Sequence, residues 1–385
     1  MTGVGATVEA DAVVLGAGPA GAAFALNLAP LRRVLVLDRR DTPAVRIGES
    51  LAPAARRLLT DMGLWEDFRA QGHEPCHGGQ SLWGGPDPAE ADGLRDLDGP
   101  GWHLDRARFD RWLRAVASSR GAAVLVPAHL RAAVRDGDGW RLDLDIGGRR
   151  MPARCRLLVD AGGRGSSLAR RLGARRTAGD RLVCGWLHGQ DADGRQAGLT
   201  HIEAEADGWW YTAPLPGRRR VLAFHTDADL LAAADACDAA ALSRRAGTRA
   251  FLSGVLAGSG FRAEGAAGFC AAHSTHLFPA AGDGWLAVGD AALGFDPLSS
   301  QGLFNALYTG LAAAEAADRY LAGDASAVPG YCAGLAEIHD AYRAHLRAWY
   351  GLERRWPDRP FWKRRLDPAD SSRGYRPQAA WDAAR

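Results

Sequence analysis

At 385 residues the chain is too long for one small core, and its 47% hydrophobic content is that of an ordinary globular protein. A formal net charge of +2 without a polybasic run argues against a nucleic-acid binder and leaves short clusters such as Arg218-Arg219-Arg220 as solvated faces. Six scattered cysteines without C-x-x-C or zinc spacing, no signal-peptide core and no apolar run of the roughly 18 residues a membrane span needs predict a cytoplasmic protein with no metal and no membrane span.

In chain order, a buried strand from Asp11 runs into Gly16, Gly18 and Gly21, spaced G-x-G-x-x-G at the start of a helix from Ala20 to Leu28. This spacing predicts a dinucleotide-binding turn: Gly16 permits the bend, Gly18 lets a pyrophosphate approach, and Gly21 lets the helix pack close. The strand Val34 to Asp38 places a carboxylate, followed by Arg39, where the adenosine ribose would lie. Pro53 to Met62 reads as a helix, and Gly72 to Pro100 as a Gly/Pro-rich excursion. Next come a helix from Phe109 to Ser119, a strand from Ala123 to Val126, and a hairpin of Ala132–Val134 with Trp140–Asp145 turned at Gly137-Asp138-Gly139. Leu157 to Asp160 reads as a further buried strand.

From Val183 to His225 the pattern is of extended segments punctuated by Gly, Asp and Pro, which predicts an antiparallel sheet. A helix from Ala232 to Leu256, a returning strand at Trp285 to Asp290, and helices from Gly302 to Leu321 and Tyr331 to Arg354 follow, with the last twenty residues read as loose. The expected fold class is α/β with two domains (α+β in layout): a Rossmann-like nucleotide domain (1–71, 101–175, 276–330), an antiparallel-sheet substrate domain (72–100, 176–275) and a C-terminal helical part (331–385).

A second glycine-bearing segment, Gly289-Asp290 through Asp296-Pro297-Leu298-Ser299-Ser300-Gln301-Gly302, precedes a helix. Together with the first turn it resembles the flavin-binding signature of class A FAD monooxygenases and flavin-dependent halogenases. The resemblance implies that Asp290 holds the ribityl chain and that Pro297 to Gly302 lies against the isoalloxazine, where N–H groups at a helix start favour negative charge. Leu157 to Ser166 resembles the family's middle motif, with Asp160 as its aspartate. Arg46-Ile47-Gly48-Glu49-Ser50 resembles the loop beside the flavin, and Trp102 to Asp110 the segment whose arginine, Arg106, approaches the cofactor. The implied cofactor-binding set is Gly16, Gly18, Ala20, Gly21, Asp38, Arg39, Arg46, Glu49, Ser50, Arg106, Asp160, Gly289, Asp290, Pro297 and Gly302. With a single G-x-G-x-x-G, electrons must come from a transiently docked NAD(P)H or from a separate flavin reductase.

Trp209-Trp210-Tyr211-Thr212-Ala213-Pro214 resembles, in part, the W-x-W-x-I-P segment of halogenases, yet the region Gly72 to Gly85 lacks the lysine those enzymes use, and Lys363 is the only lysine present. Across nearly its whole length the chain resembles the flavoproteins that mature tryptophylquinone enzymes, such as the lysine and glycine oxidase maturation factors and their relative in quinohemoprotein amine dehydrogenase assembly. Ile47–Leu51, Ala54–Leu59, Gly72–Cys76, Gly101–Arg106, Trp209–Pro214, Asp296–Gly302 and Glu353–Pro357 carry that resemblance. It implies hydroxylation of a tryptophan side chain in an immature quinoprotein or peptide, through a C4a-hydroperoxyflavin, with Glu49, Trp209, Tyr211, Pro297 and Ser300 as catalytic candidates. Trp83, Trp209 or Tyr211 could stack on an indole. A halogenase, a geranylgeranyl-reductase-like enzyme and a non-catalytic maturation chaperone are the alternatives.

Overall fold

The computed structural model describes residues 7–43, 45–93, 96–192 and 198–366. The short runs Ala12–Leu15, Val34–Leu37 and Leu157–Asp160 carry almost no polar residue, and they lie side by side in a parallel sheet buried on both faces. Its strand order is Ala281–Gly282, Trp285–Ala287, Leu157–Asp160, Ala12–Leu15, Val34–Leu37, Ala123–Leu125, with only the first pair antiparallel. The helices Pro19–Leu28 and Gly302–Leu321 cross closely: a Cβ added at Gly310 would sit 2.6 Å from the Ala20 carbonyl oxygen.

A seven-stranded sheet forms the second layer system, in the order Phe261–Ala271, Leu182–Asp191, Arg219–Asp227, Gly208–Leu215, Leu199–Glu205, Gly78–Leu82, Ala89–Asp92. Strand alternation divides its side chains. Leu187, Trp210, Leu222 and Phe224 pack under three short helices on one face. Leu182, Cys184, Trp209 and Tyr211 pack on the other against Tyr350, Phe361 and Trp362, and Ile47 and Leu298 reach the same cluster from the nucleotide side. The whole is a Rossmann-like two-domain α/β fold. No described helix is long and apolar enough to cross a membrane.

Several expected elements differ. The excursion from Gly72 supplies the last two strands of the seven-stranded sheet, Gly78–Leu82 pairing in parallel with Leu199–Glu205 and antiparallel with the edge strand Ala89–Asp92. The stretch Ala232 to Leu256 is three helices, Ala232–Ala236, Ala239–Gly247 and Ala250–Ser259, because Asp238 starts the second by accepting from the Ala241 N–H at 2.7 Å. Asp105 likewise caps a helix that begins at Arg106, three residues earlier than Phe109. The hairpin is longer, Ala128–Asp136 with Gly139–Ile146, and is joined by a third strand, Arg149–Cys155. The last long helix spans Ala327–Leu352, and a further helix, Pro360–Leu366, follows it. Residues 367–385 of the expected loose tail lie outside the described residues.

Candidate functional site

The first turn separates glycines the protein needs for itself from one it does not. Gly16 has φ +110°, and a Cβ there would collide with the Ala161 carbonyl; a Cβ at Gly21 would collide with the Gly16 carbonyl. At Gly18 a Cβ would meet nothing within 4 Å. Gly18 is the N-cap of the Pro19–Leu28 helix and offers no capping side chain, so the first-turn N–H groups open on to that free space with the positive end of the helix dipole. A pyrophosphate fits both the space and the charge. Asp38 Oδ2 accepts from the Ala17 N–H at 2.8 Å and from Arg114 at 3.1 Å, while Arg114 Nε donates to the Ala17 carbonyl at 2.8 Å. Arg114, which carries no motif signal, thus holds the acid against the turn. Arg39 is exposed at the same edge.

Asp160 corrects its expectation as a cofactor contact. Its carboxylate is buried and accepts from the Gly162 and Ala169 N–H groups, each at 2.9 Å, so it shapes the turn that packs against Gly16. Burial outweighs these backbone donors and holds its pKa above the usual carboxylate range.

At the other end, Gly289 adopts φ +57°, its N–H donates to Thr309 Oγ1 at 2.9 Å, and a Cβ there would sit 2.6 Å from Ala20 Cβ. This close packing places the half-buried Asp290 beside Arg164, 3.2 Å from Oδ2 to Nε. Arg164 also donates to the Phe295 carbonyl at 2.6 Å and to the His273 carbonyl. Asp296 caps the turn Pro297–Ser299, with Oδ1 accepting from the Leu298 N–H at 2.9 Å. Ser300 turns the chain at φ +51°, and the helix begins at Gly302, where a Cβ would again meet nothing within 4 Å. Pro297 and Ser300 are exposed. Glycine-lined space at two helix starts, with Asp290 on the same turn, fits an extended flavin dinucleotide.

The wall beside this space is made of side chains from distant strands. Glu49 is 2% exposed, its Oε1 is 2.9 Å from His188 Nε2, and its Oε2 accepts from the Gly48 N–H at 2.8 Å. His188 comes from the strand Leu182–Asp191 and lies tilted against Trp186, ring centroids 4.8 Å apart. No motif marks His188; the register of strand against loop brings it to Glu49. Ser50 Oγ lies 2.8 Å from the Tyr211 hydroxyl, whose pKa burial raises beyond the ordinary phenol range. Arg106 donates to the Gly48 carbonyl at 2.7 Å and contacts Asp110 at 3.3 Å, so in this structure it pins the loop that was expected to share the cofactor with it. Arg46 is half-buried, and burial lowers its pKa, with Arg106 and Arg40 acting in the same direction and Asp110 and Asp38 against it.

Trp209 is a second correction. It is 1% exposed, one ring face stacks on His225 at 3.7 Å, and its Nε1–H donates to the Tyr350 hydroxyl at 3.2 Å. No face is open to an indole. Tyr350 in turn donates to Asp296 Oδ2 at 2.8 Å, and the Tyr342 hydroxyl accepts from the Asp296 N–H at 2.7 Å. Trp209 therefore reaches the turn at Asp296 through a tyrosine and positions it. Burial, with the nearby charge of Asp180, pushes the Asp296 carboxyl up to about 7 against the opposing Leu298 N–H, Arg365 and Tyr350.

The sequence matches the FAD binding domain family over residues 9–217. LodB of Marinomonas mediterranea, which carries the name of an FAD-dependent oxidoreductase, is 31% identical over 362 residues, covering 92% of this chain and 96% of LodB. Two solved structures overlay most of the chain. The myxobacterial chondrochloren halogenase CndH does so at TM-score 0.82 and 25% identity, over 93% of this chain and 86% of its own. QhpG, a peptidyl tryptophan dihydroxylase essential for tryptophylquinone cofactor biogenesis, does so at TM-score 0.72 and 29% identity, over 93% of this chain and 79% of its own. The glycine turn, the Asp290 turn and these likenesses agree, and the chain belongs to the FAD-binding-domain family of FAD-dependent oxidoreductases.

Proposed function

We propose that this chain is a monooxygenase that hydroxylates a tryptophan side chain of a partner polypeptide on its way to a quinone cofactor. The observation that carries the reading is the pair of buried Glu49 and half-buried His188 on the wall beside the flavin segments. With Glu49 accepting from Nε2–H, the other imidazole nitrogen, Nδ1, bears a lone pair and has no hydrogen-bond partner among the described residues. An indole must lose a proton as its ring gains oxygen, and a histidine oriented by a carboxylate is suited to take it. Bound and reduced FAD supplies the oxygen chemistry. In this reading Gly16, Gly18, Ala20 and Gly21 cradle the pyrophosphate, and Asp38 with Arg39 meets the adenosine ribose. Asp290 and Gly289 meet the ribityl chain, and Pro297, Ser300 and Gly302 line the ring with Arg46 and Ser50 opposite. Residues 72–100 and 176–275 then form the substrate side, and Tyr211 presents a hydroxyl fixed by Ser50. Electrons arrive from docked NAD(P)H or from a separate reductase.

The likeness to QhpG, a peptidyl tryptophan dihydroxylase, supports a peptidyl substrate. The likeness to CndH favours halogenation as the second reading, but Lys363, the sole lysine, is exposed on the Pro360–Leu366 helix, and arginine cannot serve as an amine nucleophile. The deciding experiment supplies the FAD-loaded protein with a chemical reductant, oxygen and a tryptophan-containing polypeptide, with and without bromide. Mass spectrometry showing oxygen on tryptophan in both conditions supports hydroxylation; bromine on the product overturns it.

A further inference from the structure

Cys184 and Cys270 stand directly opposite each other on the antiparallel strands Leu182–Asp191 and Phe261–Ala271. Cross-strand partners have Cα atoms about 4.5–5.5 Å apart, inside the roughly 4.4–6.8 Å that a disulfide spans. Cys184 Sγ donates to the Gly185 carbonyl at 3.8 Å, and the two sulfurs are near enough for each to act on the other's ionisation. Both contact the cluster that includes Tyr211, Ile47 and Leu298, so they share the sheet face that looks toward the flavin segments. Cys184 is sealed at 1% exposure, whereas Cys270 is half-buried. Glu49 and Arg164 lie close enough to act on Cys270 electrostatically. The site reading has no use for either sulfur.

We propose that Cys184 and Cys270 form a peroxide-reactive dithiol beside the flavin wall. Reduced flavin that meets oxygen without transferring it to a substrate yields hydrogen peroxide, and these sulfurs line the adjoining wall. The Cys270 thiolate attacks one peroxide oxygen, the O–O bond breaks, and hydroxide leaves with a proton to become water, giving a sulfenic acid on Cys270. The Cys184 sulfur then attacks Cys270, the S–OH bond breaks, and a second water leaves with the Cys184 proton. Two thiols and one peroxide become one disulfide and two waters, and an external thiol reductant restores the pair. Roles divide by environment. The neighbouring Cys184 thiol and the charge of Arg164 hold the Cys270 pKa below the usual thiol value, against burial and Glu49, while burial raises that of Cys184. Elsewhere, burial pushes the thiols of Cys155 and Cys332 up to about 12 and about 11, which keeps them protonated and slow.

The test exposes the folded, FAD-loaded protein to limiting hydrogen peroxide, blocks remaining thiols with an alkylating agent, and maps peptides after denaturation. Joint loss of the Cys184 and Cys270 thiols, a peptide pair linked through them, and reversal by dithiothreitol are the expected result. In Cys184→Ser, Cys270 should be trapped by dimedone as a sulfenic acid. The proposal is overturned if both cysteines stay alkylatable while the exposed Cys237 oxidises, or if wild-type Cys270 passes to a sulfinic acid without linking. Because the peroxide is added, failure of the hydroxylase reading would leave this result unchanged, and the two are separately testable.

Discussion

The glycine turn at Gly16 to Gly21 and the wall around Glu49 are built on different principles. At the turn, backbone does the work: a Cβ at Gly21 would strike the Gly16 carbonyl, Gly18 opens a space, and a helix start supplies N–H groups. At the wall, side chains converge from sequence-distant strands, as when His188 meets Glu49 and Tyr211 meets Ser50. A backbone cradle is a local device that tolerates little change in residue type. A converged wall has no local signature and depends on register.

The sharpest way to break this contrast is at the cradle. Gly21→Val should fail to accumulate as folded protein, because overpacking against the Gly16 carbonyl costs on the order of 3 kcal/mol or more. Gly18→Ala should keep its apo melting temperature and lose only flavin affinity. Thermal unfolding with and without FAD separates the two, and equal damage by both would show that Gly18 serves the fold as well. At the wall, His188→Gln should retain FAD spectroscopically while turnover falls by about 10²–10⁴-fold, the usual range for a lost general base. Wild-type rates would remove His188 from the chemistry.

Two smaller effects sharpen the comparison. The Asp296 carboxyl, raised to about 7 in the fold from an ordinary value near 4, binds a proton in the native state that the unfolded chain lacks. Its stabilising contribution is therefore complete below about pH 4 and declines toward pH 7, by at most about 1.4 kcal/mol per pH unit. Asp296→Asn should flatten that part of the stability profile, as measured by denaturant titration of both proteins across the window; parallel profiles would mean that Asp296 is ionised throughout. Tyr211→Phe should cost about 1 kcal/mol of stability, the worth of one buried hydrogen bond to Ser50, with intact flavin binding.

The same contrast explains what could be read from the chain alone. Gly16, Gly18 and Gly21, the strand Val34–Leu37 and the helix from Gly302 were legible because spacing and hydrophobic runs are local properties. His188 and Arg114 were not, since each lies on an unmarked strand or helix whose partner is far away in sequence. Arg164 and Asp296 lay inside recognised motifs, but their contacts, to Asp290 and Tyr350, depend on packing no motif records. Trp209 shows the converse: a recognisable segment invited a substrate role, yet the sheet buries the ring against His225. The break at Asp238 is hard to see in sequence because alanine-rich stretches on both sides surround one capping side chain.

The first helix, Pro19–Leu28, is buried at nine of its ten positions, and much of its cover is the helix Gly302–Leu321. During synthesis, then, the ribosome releases the cofactor turn long before the segment that closes over it has been made. The first helix must wait, apolar surface uncovered, until the segment through Leu321 has emerged. A truncated product lacking the Gly302–Leu321 helix would carry every glycine of the first turn and still present chaperones and proteases with an open core.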